Sequence, residues 1–292
     1  MYNFENCNVL FNVQMKDYTT FKTGGTARVL IEPETPMAVA KVLRTLTERG
    51  EKYYVLGNGS NLLVADEGID AAVIHIGRNL SEVRVEGESV ICQAGALLSA
   101  AANAAYKNSL TGLEFAQGIP GSVGGGVCMN AGAYGGELKD VIDWIDYALP
   151  SGEVCRMDCD TADLTYRHSF FSDKPYVVTA ACFKLKKGDS DAISGKMKEL
   201  AEKRRDKQPL EYPSAGSTFK RPVGGFAAAL IEDAGLKGTS CGDACVSEKH
   251  SGFIVNKGNA TTSDILNLME TVKEKVFEKS GIMLEPEVKF WK

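Results

Sequence analysis

The chain has 292 residues, of which 44% are hydrophobic and 24% charged, with a formal net charge of −5. That length supports two or three small domains around a sizeable core, and the composition is that of an ordinary soluble globular protein. The acidic balance excludes a nucleic-acid binder, and the basic clusters Lys184-Leu185-Lys186-Lys187 and Lys203-Arg204-Arg205 read as solvated faces or small anion sites.

Taken in chain order, Met1 to Asn6 has neither a basic start nor a long apolar run, so no signal peptide is expected. No stretch approaches the ~20 apolar residues of a membrane helix. A cytoplasmic protein follows. Ala27–Ile31 reads as a strand. Thr35–Arg49 reads as a helix, with Val39, Val42, Leu43 and Leu46 on one face. Tyr53–Leu56 is a strand running into a glycine loop, and Ala71–Ile76 is another strand. Val83–Val85 and Val90–Cys92 flank Glu86-Gly87-Glu88-Ser89 as a hairpin. Leu97–Asn108 is an alanine-rich helix. Ile145–Leu149, Val154–Met157 and Tyr176–Leu185 complete a strand-rich block.

Composition changes at Lys186-Lys187-Gly188-Asp189, before a charged helix at Ser190–Lys207. The expected division is 1–187, with lobes of about 1–80 and 81–187, followed by an α+β domain at 188–292. In the latter, Thr262–Ser280 is a helix with Ile265, Leu268, Met269, Val272 and Val276 inward, stopped by Gly281. Glu285–Trp291 ends the chain as a strand.

Two glycine-rich loops carry the functional signal. One is Leu56-Gly57-Asn58-Gly59-Ser60-Asn61-Leu62-Leu63. The other is Gly118-Ile119-Pro120-Gly121-Ser122-Val123-Gly124-Gly125-Gly126, continuing to Asn130-Ala131-Gly132-Ala133-Tyr134-Gly135. Without a Cβ, backbone N–H groups can turn toward an anion at close range. Two such loops and Thr23-Gly24-Gly25 suggest one long polyphosphate ligand, a dinucleotide in preference to a lone phosphate. The first loop lacks the third glycine of G-x-G-x-x-G and a following helix, so it is not the nicotinamide fingerprint. No Walker-type loop is present.

These loops, with Tyr166-Arg167-x-Ser169, Ala215-Gly216-Ser217-Thr218-Phe219-Lys220-Arg221-Pro222, Leu230–Gly238 and Leu284-Glu285-Pro286-Glu287-Val288, occur in an order that resembles the UDP-N-acetylenolpyruvoylglucosamine reductase family. The short linkage between Tyr166-Arg167 and Ala215-Gly216-Ser217 resembles its type II subfamily. The resemblance implies an α+β protein. A two-lobed FAD-binding domain of the vanillyl-alcohol-oxidase/PCMH type would precede a C-terminal α+β substrate-binding domain. It also implies non-covalent FAD, NADPH as hydride donor, and reduction of an enolpyruvyl UDP-sugar in bacterial peptidoglycan precursor synthesis. The partners implied are small molecules only, with no nucleic acid or membrane insertion, and a monomer is expected.

The resemblance assigns FAD binding to Thr23, Gly24, Gly25, Gly57, Asn58, Gly59, Ser60, Asn61 and Leu62. From the second loop it adds Gly118, Ile119, Pro120, Gly121, Ser122, Gly124, Gly125, Asn130, Ala131 and Gly132. It implies that Arg167 holds the substrate carboxylate, as a guanidinium can with two parallel hydrogen bonds. Ser217 is then the proton donor and Glu287 works with the arginine; Tyr134, Lys220 and Arg221 contact substrate. On residue type alone, Arg167 reads as a structural ion pair, Ser217 as a turn or cap serine, and Glu287 as an exposed strand carboxylate. Arg221 departs from the Asn of the loop-bearing subfamily. His75, His168 and His250 show no partner arrangement, though Glu248-Lys249-His250 is within reach of a substrate reading.

Two other readings stand beside this one: an alcohol-oxidising flavoprotein of the same fold, and a nucleotide-binding module without catalysis. The former often tethers its flavin through a histidine near the first glycine loop; none lies between Val55 and Ala65. The eight cysteines include Cys155/Cys159 and Cys241/Cys245 at a spacing that zinc can use. In a reducing compartment they read instead as small hydrophobes, and no metal is expected.

Overall fold

A computed structural model describes residue 2 and residues 4–292; Met1 and Asn3, part of the N-terminal reading, lie outside the described residues. The chain forms two compact units. The first comprises the described residues up to Phe11 with Val29–Asn58 and Ala71–Arg204, and the second comprises Asn12–Arg28, Gly59–Asp70 and Arg205–Lys292.

In the first unit, five antiparallel strands lie in the order Val154–Asp158, Ile142–Ala148, Val177–Lys184, Ser89–Gln93, Val83–Glu86. The hairpin expected around Gly87 is present. Glu86 pairs with Ser89, and Gly87 takes φ 63, as a two-residue loop requires. Tyr53–Leu56 pairs in parallel with Ala72–His75, in a sheet that also holds Cys7–Gln14 and Thr26–Pro33.

The helix Pro36–Glu48 begins where Thr35 caps it, its hydroxyl accepting from Ala38 N–H at 3.1 Å. Val39, Val42, Leu43 and Leu46 are fully buried in the core of this unit. The charged helix Ser190–Lys207 contributes Ile193, Met197 and Leu200 to that same core.

The second unit packs the helices Ala227–Asp233 and Thr262–Ser280 with three antiparallel strands, Ser240–Cys241, Ala244–Val246 and Ile254–Asn256. The terminal strand is shorter than its apolar pattern suggests. Only Lys289–Trp291 forms a ladder, parallel to Leu62–Val64, while Pro286 makes an isolated antiparallel bridge with Phe219. Helix Thr262–Ser280 matches its expected bounds. Thr261 and Asp264 form a reciprocal capping box at its start, and Gly281 ends it at φ 70. Ile265, Leu268, Val272 and Val276 are buried to 1% or less, each worth about 1.5–3 kcal/mol of burial.

Two polar side chains set this helix in place. Asn256, 1% exposed, donates from Nδ2 to Phe21 C=O at 3.0 Å, and its Oδ1 accepts from the N–H groups of Gly258 and Ala260. The Asp66 carboxylate accepts from Thr262 N–H at 2.7 Å and from Ser263 N–H and Oγ–H at 2.8 and 2.7 Å. Burial raises the Asp66 pKa, but the bonds from Ser263 and Thr262 more than offset it and hold the carboxyl below its ordinary value.

A carboxyl with a lowered folded-state pKa stabilises above its unfolded pKa and loses that contribution as pH falls through the folded value. Asp66→Ala should therefore cost about 1 kcal/mol at neutral pH. It should also flatten the acid limb of the stability curve. Denaturant melts between neutral pH and the carboxylate range check both, and an unchanged acid limb would remove Asp66 from that role.

Candidate functional site

The strand Tyr53–Leu56 delivers the chain to Gly57, and there the two glycine loops lie side by side. Asn58 Nδ2 donates to Pro120 C=O at 2.6 Å. A Cβ added at Gly57 would lie 2.5 Å from Ser122 Oγ. The second loop does not remain a loop to Gly126. It turns into a short helix, Val123–Cys128, which Ser122 caps. A Cβ at Gly124 would sit 2.9 Å from Ala94 Cβ, so this glycine lets the helix press onto its neighbour.

Several other glycines likewise make room for protein. A Cβ would fall 2.0 Å from Tyr18 C=O at Gly59 and 2.2 Å from Asp66 C=O at Gly25. Gly24, at φ 115, packs against Val64. The Thr23 hydroxyl is 3.0 Å from that of Thr262, and Leu62 is buried in its strand.

What the loops leave over is a set of donors. Among the described residues, the backbone N–H groups of Asn58, Gly59, Ser60, Asn61, Gly121 and Ser122 reach no protein acceptor. Gly59 and Ser122 are buried residues, where an unmet N–H is costly. Gly125 is exposed, with only Ser122 Oγ near its α-carbon. Within the first unit, the donors of Asn58, Gly121 and Ser122 suit a ligand rich in oxygen acceptors and negative charge.

Arg167 sits in a tight turn of the first unit. Thr165 N–H donates to His168 C=O, and His168 N–H returns to Thr165 C=O, at 3.1 and 3.2 Å. The turn forces Arg167 into the left-handed region at φ 55, an uncommon state for a side-chain-bearing residue. Its anchor is Asn130. The Asn130 amide donates to Thr165 C=O at 3.1 Å and to Glu137 Oε2 at 3.0 Å, and its Oδ1 accepts from Lys139 N–H at 3.0 Å. Ser169 Oγ adds a bond to Cys128 C=O at 2.9 Å. The Asn130 side chain is thus committed to protein, a role its place in a glycine-rich run conceals. Glu137 is held below the usual carboxylate range by its bond to Lys139, with Asn130 and Arg167 also favouring its charge.

Ala131 and Gly132 lead from Asn130 into a minimal hairpin, where Ala133 pairs with Gly136 across Tyr134 and Gly135 at φ 53 and 88. Tyr134 is exposed at the tip. Ile119 is partly buried against the core of this unit.

In the second unit, Ser217 and Glu287 are brought together by backbone pairing. Glu287 N–H donates to Thr218 C=O at 2.8 Å, and Lys220 N–H donates to Glu285 C=O at 2.9 Å. Asn61 supports this arrangement, donating from Nδ2 to Glu287 C=O at 3.1 Å. Ser217 is exposed and Glu287 half-buried. Lys220 Nζ is 3.3 Å from Glu285 Oε2, and the Arg221 guanidinium lies 4.6 Å from the Phe226 ring centre. Thr218 N–H donates to Gly252 C=O at 2.9 Å, which sets the His250–Gly252 turn beside Ser217.

Each histidine has a partner that spacing did not show. His75 Nδ1 is 2.8 Å from Glu32 Oε1, His168 Nε2 is 3.3 Å from Asp163 Oδ2, and His250 Nδ1 accepts from Gly252 N–H at 3.2 Å. Burial pushes the His250 pKa down. All eight cysteines are free thiols, and burial pushes Cys92 and Cys128 up to about 12, so neither is an anionic nucleophile near neutral pH.

Residues 27–158 match the FAD binding domain family, and residues 208–291 match the C-terminal domain of UDP-N-acetylenolpyruvoylglucosamine reductase. The reductase of Clostridium novyi (strain NT) is 52% identical over 278 residues, covering 95% of this chain and 90% of the relative. That of Caldanaerobacter subterraneus subsp. tengcongensis is 47% identical over 278 residues, covering 95% and 92%. The crystal structure of UDP-N-acetylenolpyruvylglucosamine reductase from Thermus caldophilus superposes with a TM-score of 0.84 at 35% identity, covering 98% of this chain and 99% of that one.

The Asn130 anchor is testable in ligand-free protein. Asn130→Asp tolerates a left-handed backbone but loses both donations and sets a second carboxylate against Glu137. It should lower stability by about 2–3 kcal/mol in a denaturant melt. Unchanged stability would mean that the amide serves a ligand instead.

Proposed function

The chain belongs to the UDP-N-acetylenolpyruvoylglucosamine reductase family, and from that premise we propose that Arg167, Ser217 and Glu287 carry its chemistry. It is an FAD-containing oxidoreductase that uses NADPH to reduce UDP-N-acetylenolpyruvoylglucosamine to UDP-N-acetylmuramate, a step of peptidoglycan precursor synthesis. FAD, when bound, supplies the relay of a hydride from NADPH to the terminal carbon of the enolpyruvyl double bond.

The observation that carries the cofactor assignment is the row of unpaired backbone donors at Asn58–Asn61 and Gly121–Ser122. These groups would hold FAD, and Gly57, Gly59, Gly24, Gly25 and Gly124 each leave room for the protein atoms packed against them. Arg167 binds the substrate carboxylate, into which negative charge spreads when the double bond accepts a hydride. Its fixed turn means that little reorganisation is needed as that charge grows. Ser217 Oγ–H gives its proton to the carbon bearing the carboxylate and is reprotonated from solvent. Glu287, tied by its backbone to Thr218, is the carboxylate that the reading assigns to the same substrate group.

Tyr134, Lys220 and Arg221 contact the UDP-sugar. For Lys220 this exchanges its exposed pair with Glu285, an interaction worth little in water. No helix among the described residues is long and apolar enough to cross a membrane. The reading extends to a cytoplasmic monomer.

Denaturing the purified yellow protein and filtering it should release all its flavin as FAD, since no histidine lies between Val55 and Ala65. Colour retained on the polypeptide would contradict non-covalent binding. Ser217→Ala should leave bleaching of the flavin by NADPH intact. Reoxidation by the enolpyruvyl sugar should slow by about 10²–10⁴-fold, the usual weight of a positioned proton donor. Stopped-flow measurement of the two half-reactions checks this, and equal losses in both would assign Ser217 a structural role.

A further inference from the structure

The turn at 247–253 lies beside the segment that carries Ser217, and a side chain helps to close it. His250 Nδ1 accepts from Gly252 N–H at 3.2 Å. A Cβ at Gly252 would fall 3.1 Å from His250 Cε1, so the missing side chain leaves room for the ring. Phe253 meets that ring edge-on, with centres 4.9 Å apart. Ser247 Oγ accepts from the N–H groups of Lys249 and His250, and Ser251 Oγ donates to Ala228 C=O at 2.6 Å.

Gly252 passes this order on. Its C=O accepts from Thr218 N–H at 2.9 Å. That N–H belongs to the peptide plane joining Ser217 to Thr218, so its acceptor sets the orientation of the Ser217 main chain. Thr218 is fully buried. Its Oγ1 accepts from Ile254 N–H at 3.1 Å, and its C=O accepts from Glu287 N–H at 2.8 Å. One residue thus links the His250 turn to both Ser217 and Glu287.

A ring nitrogen accepts only while it carries no proton. The bond from Gly252 therefore places the proton of the neutral ring on Nε2. A second proton would set N–H against N–H and remove the acceptor. Burial opposes that charge and pushes the His250 pKa down. Lys237 works in the same direction and Glu232 against it, and these two pair with each other at 2.6 Å. On the turn itself, Glu248 lies toward Gly238, and Lys249 Nζ donates to Arg205 C=O at 2.7 Å. On the Ser217 segment, Lys220 faces Glu285.

We propose that neutral His250 is a positioning residue for the reaction, holding Ser217 in place through Gly252 and Thr218. The inference rests on Ser217 as proton donor and adds the group that aligns it. The enolpyruvyl half-reaction then carries an acid limb below the ordinary imidazole range, because a charged ring releases the turn. A misplacement of about 1 Å in a reacting group can cost on the order of 100-fold in rate. Hydride transfer from NADPH to the flavin makes no use of Ser217 and has no part in this limb.

The test uses flavin-loaded, full-length protein and single-turnover reoxidation by saturating enolpyruvyl sugar across pH. His250→Asn keeps an acceptor where Nδ1 stands but takes up no proton. It should retain most of the wild-type plateau and lose the acid limb. His250→Leu removes the acceptor and should slow saturated reoxidation roughly ten- to hundredfold at every pH, with bleaching by NADPH intact. The chain has three histidines, and in 15N-labelled protein the ring signal lost in His250→Asn should report a neutral imidazole with its proton on Nε2. Wild-type kinetics in folded His250→Leu overturn the inference, as do equal losses in both half-reactions. So does a wild-type profile without an acid limb, a limb that survives in His250→Asn, or a ring proton on Nδ1. A change confined to the sugar's half-saturating concentration makes His250 a substrate contact and also overturns it. If His250→Leu fails to fold, the His250→Asn profile and the ring's proton position decide. If Ser217→Ala leaves reoxidation intact, the proton-donor reading itself falls, and this inference falls with it.

Discussion

Another protein segment must pass within contact distance of the main chain at Gly25, Gly57, Gly59 and Gly124, and the rest of the candidate site depends on that constraint. At each of these positions a methyl group would strike a carbonyl, a hydroxyl or a side-chain carbon at 2.9 Å or less. The glycines thus serve first as spacers between protein segments. Their effect on a ligand is indirect: the N–H groups of Gly121 and Ser122, beside this packing, reach no protein acceptor.

A second pattern is the separation of labour between charge and anchor. Arg167 and Glu287 carry the charges assigned to catalysis, but Asn130 and Asn61 fix the backbone on which they stand. Amides suit this task because one side chain can donate and accept at once, without the desolvation cost of a buried ion. Asn256 plays the same part at the start of the last long helix.

Much of this was legible from the sequence where periodicity and local chemistry agree. Thr35, Gly87 and Gly281 sit where caps and tight turns require them, and Thr262–Ser280 shows its buried stripe plainly. What escaped depends on partners distant in sequence. Nothing near Asn130 announces Thr165, and nothing near Asn61 announces Glu287. The helix at Val123–Cys128 hides among glycines that are poor helix formers, and forms because Ser122 caps it and Val123 and Val127 bury. Ser190–Lys207 looks like a solvated rod because its apolar face is thin, yet Ile193, Met197 and Leu200 are enough to seat it in the core of the first unit. Arg204 reads in the sequence like its charged neighbours, yet its side chain lies against Gly118.

Asn130, Tyr134 and Arg167 all hold positive φ, at 40, 53 and 55°. For a residue with a Cβ this conformation costs roughly 1–2 kcal/mol. The protein carries that burden at positions assigned to ligand contact and its support. Replacing Tyr134 or Arg167 with glycine would relieve the backbone while deleting the functional group. Any selection for heat resistance alone would therefore reward the loss of those two side chains, and a thermostabilised variant of this enzyme has to be screened for turnover at the same time as for melting.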